Sequence, residues 1–180
     1  MATVMATGNA DMENAAVDLV NPESDAKVLM IGCGPGVGVV AAARRASNGM
    51  VIGLDPSGVM VERTRTRCRR ARVEHLTKVE RAAAELLPVP DQSQDAVVSV
   101  NNIQLWSDRA AGLDECVRVL IPGGAVVVLL HTWAMPDALS AEEWIADLTA
   151  DLSARGVVVE SLLIRRFRSG PALVLAGRLA

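Results

Sequence analysis

Residues 28–38, Val28-Leu29-Met30-Ile31-Gly32-Cys33-Gly34-Pro35-Gly36-Val37-Gly38, decide the fold of this chain. Four apolar residues end abruptly in glycines at 32, 34 and 36, and the sequence turns Ala/Val-rich from Val37. A buried strand, a tight glycine turn and a helix start account for that order. Such a turn lets the backbone approach a nucleotide-like ligand with no Cβ in the way. Counted from Gly32, the dinucleotide fingerprint Gly-x-Gly-x-x-Gly puts its third glycine at Val37, and counted from Gly34 at Val39. The spacing here is Gly-x-Gly-x-Gly, which points away from NAD and towards another adenosine-bearing cofactor.

Outward from this stretch, strand and helix patterns alternate. A short amphipathic helix over 12–20 precedes it, stopped by Asn21-Pro22. Strand one covers 27–31 and its helix 37–47; strand two covers 50–54, closing on Asp55-Pro56. The helix over 57–71 carries Met60, Thr64, Cys68 and Ala71 as one buried stripe. Residues 73–79 alternate as a third strand. After a Pro- and Asp-containing loop, 87–91, come strand four (96–100) and a helix with the stripe Ala110, Leu113, Cys116, Val117 and Leu120. Pro122-Gly123-Gly124 reads as a turn before the most apolar strand, 125–130. Ala141, Trp144, Ile145, Leu148 and Leu152 mark the last long helix, ended by Arg155-Gly156. Two strand-like stretches, 157–164 and 172–176, follow with no helix between them, so they pair antiparallel. The pattern predicts an α/β fold: a Rossmann-like, doubly wound, seven-stranded sheet, mostly parallel with an antiparallel C-terminal hairpin strand. One domain spanning 1–180 is expected, with residues 1–11 flexible.

Composition narrows the function classes. Of 180 residues, 51% are hydrophobic but only 2% aromatic, so the core must be aliphatic. A net charge of −3 argues against general nucleic-acid affinity. Cys33, Cys68 and Cys116 lie far apart without metal-ligand spacing, as reduced thiols of a cytoplasmic protein would. No apolar run approaches transmembrane length, and the first eleven residues lack signal-peptide features. Asp55 ends strand two, where an acid can accept both hydroxyl protons of a ribose; preceding Pro56 and a helix, it is equally placed to be an N-cap.

Four ordered segments carry a family resemblance: 28–38; Gly53-Leu54-Asp55-Pro56-Ser57; Ala84-Glu85-Leu86-Leu87-Pro88-Val89-Pro90-Asp91; and Leu120-Ile121-Pro122-Gly123-Gly124. Together they resemble class I S-adenosylmethionine-dependent methyltransferases, most nearly the small-molecule group with the ubiquinone and menaquinone methyltransferases. The resemblance covers about residues 25–131. It implies S-adenosylmethionine as cofactor, with Gly32, Cys33, Gly34 and Gly36 under the methionine moiety and ribose. Asp55 would bind the ribose hydroxyls, Pro56 and Met60 would border the adenine, Ala83 and Ala84 would face its edge, and Asn101 would lie near the transferred methyl. The family usually has an acid where Met30 stands, organising the cofactor's amino-acid end, and another at Ala83 for the adenine amino group. Each missing hydrogen bond weakens binding by ~1 kcal/mol, which for the pair is roughly tenfold or more in affinity. Glu80 and Glu85 are the candidates to compensate.

The resemblance implies a small organic methyl acceptor. His131, just past strand five, is the candidate general base, or else a strand-end residue bonded to backbone. His75 falls in the third strand's pattern and reads as structural. Asn102, Gln104, Trp106 and Trp133 are candidate lining of the acceptor pocket, with core packing as the alternative for Trp106. The arginines at 63, 65, 67, 69, 70 and 72 flank the helical stripe on both sides without interleaved aromatics, as a solvated face does. The acceptor site is expected to be open, or completed by a second copy in a homodimer. Binding without turnover is the main alternative. An RNA or protein methyltransferase is disfavoured, because Asn101-Asn102-Ile103-Gln104 stands where those nitrogen-methylating enzymes carry Asn/Asp-Pro-Pro-aromatic.

Overall fold

A computed structural model describes residues 9–135 and 140–180. The expected flexible start at 1–11 falls mainly outside them, but where it overlaps it is corrected: Asn9 is the N-cap and Ala10 and Asp11 the first residues of a helix. The elements, in chain order, are α1 (Ala10–Val20), β1 (Lys27–Ile31), α2 (Val37–Arg45), β2 (Met50–Asp55), α3 (Gly58–Ala71), β3 (Thr77–Arg81), β4 (Gln94–Val100), α4 (Arg109–Val119), β5 (Leu120–His131), α5 (Ala141–Ser153), β6 (Val157–Phe167) and β7 (Gly170–Leu179). The seven strands form one sheet in the order β3-β2-β1-β4-β5-β7-β6. The first five are parallel, and β7 runs antiparallel to both β5 and β6. The predicted fold class is the observed one.

β1 is buried on both faces, which is why it reads as an unbroken apolar run. Val28 and Met30 pack under α1, α2 and α3 in one core, while Leu29 and Ile31 face α4 and α5 in the other. The chain reverses its winding direction between β1 and β4, and that places the carboxyl ends of β1, β2 and β4 around a common crevice.

Four local readings are corrected. His75 sits on an exposed 3-10 turn, Glu74–Leu76, and β3 starts only at Thr77. On α3 the buried stripe is Val61, Thr64 and Cys68; Met60 belongs to the neighbouring edge of the helix. On α4 it is Gly112, Leu113, Cys116 and Val119. The Pro122-Gly123-Gly124 turn and the strand after it are one element, β5, whose pairing to β4 jumps from Gln94↔Leu120 to Ala96↔Ala125 as the extra residues bulge out.

Candidate functional site

The crevice beyond β1, β2 and β4 is a cleft of about 390 Å³. Gly32, Gly34, Asp55, Pro56, Met60, Ala83, Ala84, Asn101, Asn102 and Trp106 line it, and the structure brings these ten predicted residues together. Cys33, Gly36, Gln104, Trp133 and His131 are not among its lining residues.

The glycine turn is pinned from three sides. Cys33 N–H donates to Leu54 O (2.9 Å), and its side chain turns into the core, where burial pushes the thiol up to about 12. Thr64 of α3 donates its hydroxyl to Gly34 O (2.7 Å), and Arg67 donates Nε to Pro35 O (2.7 Å). Arg67 is therefore more than a solvated charge. Arg65 is too, since its guanidinium reaches Val79 O on β3 through Nε and one terminal nitrogen. From β4, Asn102 closes the third side. Its amide donates to Ile31 O (2.8 Å) and Val100 O (3.2 Å), and its carbonyl accepts from Trp106 Nε1 (2.9 Å) and Ser99 Oγ (3.2 Å). A Cβ on Gly32, whose φ is +61°, would sit 2.5 Å from Asn102 Cγ. Only glycine permits that contact. With all four hydrogen-bond positions taken, the Asn102 side chain holds the turn and the Trp106 ring rather than presenting a free group to an acceptor.

Asp55 is 7% exposed, and its two oxygens accept from different backbone donors: Gly34 N–H (2.9 Å) and Ser57 N–H (2.9 Å). The helix cap is not Asp55 but Ser57, whose hydroxyl accepts from Met60 N–H. A carboxylate so fixed retains one acceptor position on each oxygen, which suits a vicinal diol. Pro56, Met60 and Ala82–Ala84 give the cleft an apolar slot beside it.

His131 is fully buried and both ring nitrogens are engaged. Nδ1 pairs with Asn101 Nδ2 (2.8 Å) and Nε2 with Ser169 Oγ (2.7 Å). Because Asn101 can only donate from that nitrogen, Nδ1 accepts and Nε2 carries the proton. Burial, opposed by Asp11, holds the imidazole below its ordinary range, in the same direction as the neutral tautomer these bonds require. This arrangement clasps β4 to β5: Asn101 also accepts from His131 N–H (2.9 Å), and its φ of +53° is one asparagine tolerates. The ring offers the cleft no open nitrogen, which corrects the general-base expectation. Trp133 stacks on His131 (4.9 Å between centroids) and is otherwise 71% exposed. Gln104 donates Nε2 to Asn101 O (3.3 Å), and its Oε1 is buried without a hydrogen-bond partner among the described residues.

The residue that sequence reasoning missed is Glu13, from α1. It lines the cleft although it is only 8% exposed, and accepts from Gly38 N–H (2.5 Å) in the first turn of α2. Burial pushes its carboxyl up to about 7, against the opposing effects of that N–H and of Arg67. Of the two expected compensating acids, Glu80 pairs with Lys78 (3.0 Å) and is not among the lining residues, whereas Glu85 lines the cleft with its Oε1 accepting from Ser107 and Asp108 N–H. A signal for Glu13 does exist in the sequence, namely an acid within the run Met12, Ala15, Ala16 and Val17, all of which are buried.

A glycine cradle, a doubly hydrogen-bonded acid and an apolar slot at the switch point of a seven-stranded sheet form a cleft with the chemistry that an adenosine-bearing cofactor needs. Residues 29–128 match the sequence profile of a family described as "Methyltransferase domain", and the chain belongs to that family, with S-adenosylmethionine as its cofactor. It is 33% identical over 115 residues to a ubiquinone/menaquinone biosynthesis C-methyltransferase of Geotalea daltonii, covering 63% of this chain and 49% of that one. The chain spans 36 to 49% of the length of three curated relatives it matches. A SAM-dependent methyltransferase from Aquifex aeolicus superposes with a TM-score of 0.76 over 94% of this chain and 90% of that one, at 17% identity. So does a [4+2]-cyclase, at a TM-score of 0.80 over 94% of this chain and 80% of the cyclase, also at 17% identity. Likenesses at that identity concern the fold alone.

Proposed function

We propose that this chain transfers the methyl group of S-adenosylmethionine to a small, largely apolar organic acceptor. One observation carries the reading. The titratable side chains lining the cleft are Glu13, Asp55 and Glu85, and no lysine or arginine is among the lining residues. A cleft with three carboxylates favours a cationic sulfonium and disfavours a phosphate-bearing acceptor, nucleic acid included. Leu105, which lines the cleft, is 74% exposed, an apolar edge that a hydrophobic acceptor can cover. The larger groove between α2 and α3, about 1020 Å³, meets the cleft at Pro35 but is lined by Arg44, Arg63, Arg67 and Arg70 and does not share this chemistry.

When bound, the cofactor supplies a methyl group already activated for in-line displacement. What the protein does is hold and dehydrate. The glycine turn, locked by Thr64, Arg67 and Asn102, keeps a fixed backbone surface, and Asp55, fixed by Gly34 and Ser57 N–H, would hold the two ribose hydroxyls. Trp106, fixed by its bond to Asn102, would exclude water from the part of the cleft it lines. With His131 closed off, the acceptor must bring a nucleophile that needs no strong base from the protein.

The test is incubation with S-adenosylmethionine labelled in the methyl group and three acceptor pools: small quinols and phenols, total RNA, and protein. Label is expected in the small-molecule pool. Label in RNA or protein instead would overturn the acceptor class. A second reading, cofactor binding without turnover, is favoured by the alanine at 83, and predicts binding of S-adenosylhomocysteine with no label in any pool.

A further inference from the structure

We propose that Glu13 is the group that receives the protonated α-amino group at the amino-acid end of the cofactor. The inference rests on the methyltransferase reading and adds to it a residue outside the four motifs. Glu13 approaches the cleft from α1, beside Gly32 and Gly34. One carboxylate oxygen, Oε2, is taken by Gly38 N–H; among the described residues Oε1 has no hydrogen-bond partner, and no cation forms an ion pair with this side chain. A carboxylate 8% exposed and without a cation costs stability wherever it is ionised, so its setting favours an incoming ammonium group.

Its position is the second argument. A Cβ built on Gly38 would lie 2.6 Å from Met30 Cε and 3.1 Å from Glu13 Oε2. The end of the Met30 side chain and the Glu13 carboxylate therefore crowd the same point at the start of α2. Met30 is where the family resemblance leads one to expect an acid. The carboxylate absent from β1 is delivered to that place from α1, and glycine at 38 leaves room for it. α2 also lacks a side-chain cap of its own, Gly36 being its N-cap, so the N–H that Glu13 occupies was open to a carboxylate from elsewhere in the fold.

Capping of α2 alone would explain the Gly38 bond but not a role towards ligand, and the experiment separates the two. Binding of S-adenosylhomocysteine and of 5′-methylthioadenosine, which has the same adenosine and thioether but no amino-acid end, is measured by calorimetry for the unaltered chain and for Glu13→Gln. Glutamine keeps an acceptor for Gly38 N–H and so keeps the cap. At pH 8 the variant is expected to bind S-adenosylhomocysteine about tenfold more weakly and methylthioadenosine within about twofold of the unaltered chain. A second arm uses pH. Arg67 from α3, Asp55 from β2 and Cys33 in the turn are the other titratable groups about this corner. With the carboxyl near 7 in the empty cleft, the affinity of the unaltered chain for S-adenosylhomocysteine should rise about tenfold from pH 6 to pH 8, and that for methylthioadenosine should not. Equal losses for both ligands in the variant, or no loss for either, would overturn the role of Glu13 and leave the methyltransferase reading intact. Failure of the unaltered chain to bind either ligand would overturn both.

Discussion

Asp55 and Glu13 bring two carboxylates to the same glycine-rich segment, and they are held very differently. Asp55 meets Gly34 and is steadied by two backbone N–H groups, one on each oxygen. Glu13 meets Gly38, four residues on, with a single N–H, and burial dominates its titration. The first belongs to the strand-end geometry that every chain of this topology provides; the second depends on a helix packed over the sheet. The difference teaches that position relative to the strand ends, not burial, marks the acid that sequence can assign in advance.

The largest effect is expected from removing the better-held acid. Asp55→Ala deletes the acceptor for Gly34 and Ser57 N–H and the partner proposed for the ribose. Two lost charge-assisted bonds at about 1.5–2 kcal/mol each correspond to at least about 100-fold weaker S-adenosylhomocysteine binding. The orphaned donors also lower stability, so circular dichroism must first establish that the variant is folded. A folded variant that binds within tenfold of the unaltered chain would break the equivalence drawn between this aspartate and the ribose site.

Next in size is an effect on stability, and of opposite sign. The Glu13 carboxyl lies at about 7 in the folded chain, above its unfolded value of 4.5. A raised folded value means stability that is fully present below 4.5 and lost as pH rises through 7. Across that window the folded state loses about 3 kcal/mol relative to a chain whose residue 13 cannot ionise. Glu13→Gln should therefore melt about 5 °C or more above the unaltered chain at pH 8, with the gap narrowing as pH falls and closing only below the unfolded value of 4.5, where Glu13 is neutral in both the folded and the unfolded chain. A melting-temperature difference that does not change with pH would show that Glu13 does not titrate in this window. Taken with the ligand comparison, the expected result is a residue that destabilises the empty fold for the sake of binding.

These two acids also mark what could be read from the chain. β1 and the glycine turn were legible because a strand buried on both faces must be continuously apolar and must end where backbone meets ligand; the register of Met30 opposite Gly53 then puts Asp55 at the rim. The C-terminal antiparallel pair was legible for a topological reason, the missing crossover helix. Three kinds of detail were not. Met60 and Val61 both satisfy helical spacing with Thr64 and Cys68, and only packing decides which one turns to the core. Asn101, Asn102 and His131 read as polar interruptions at the ends of apolar strands, but their partners are backbone groups, one another, and Ser99, Trp106 and Ser169, which no local pattern encodes. Glu13 is joined to the site through a backbone N–H 25 residues away, and a backbone donor leaves no trace in side-chain identity.

The smallest expected effect concerns a carboxylate that this chain lacks at position 83. Ala83 lines the cleft, is exposed, and stands where the family resemblance places an acid for the adenine amino group. If Asp55 fixes the ribose as proposed, the adenine lies across Pro56 and Met60 towards Ala83, and Ala83→Asp restores one hydrogen bond at a solvent-accessible edge. A gain of about 1 kcal/mol is expected, or roughly fivefold tighter S-adenosylhomocysteine binding. The gain should vanish with the inosine counterpart of that ligand, in which a carbonyl replaces the amino group and meets the new carboxylate as one acceptor facing another. Tighter binding of both ligands would point to general electrostatic attraction. No change for either would place the base elsewhere in the cleft, and would leave the exposed alanine as part of the acceptor's entrance.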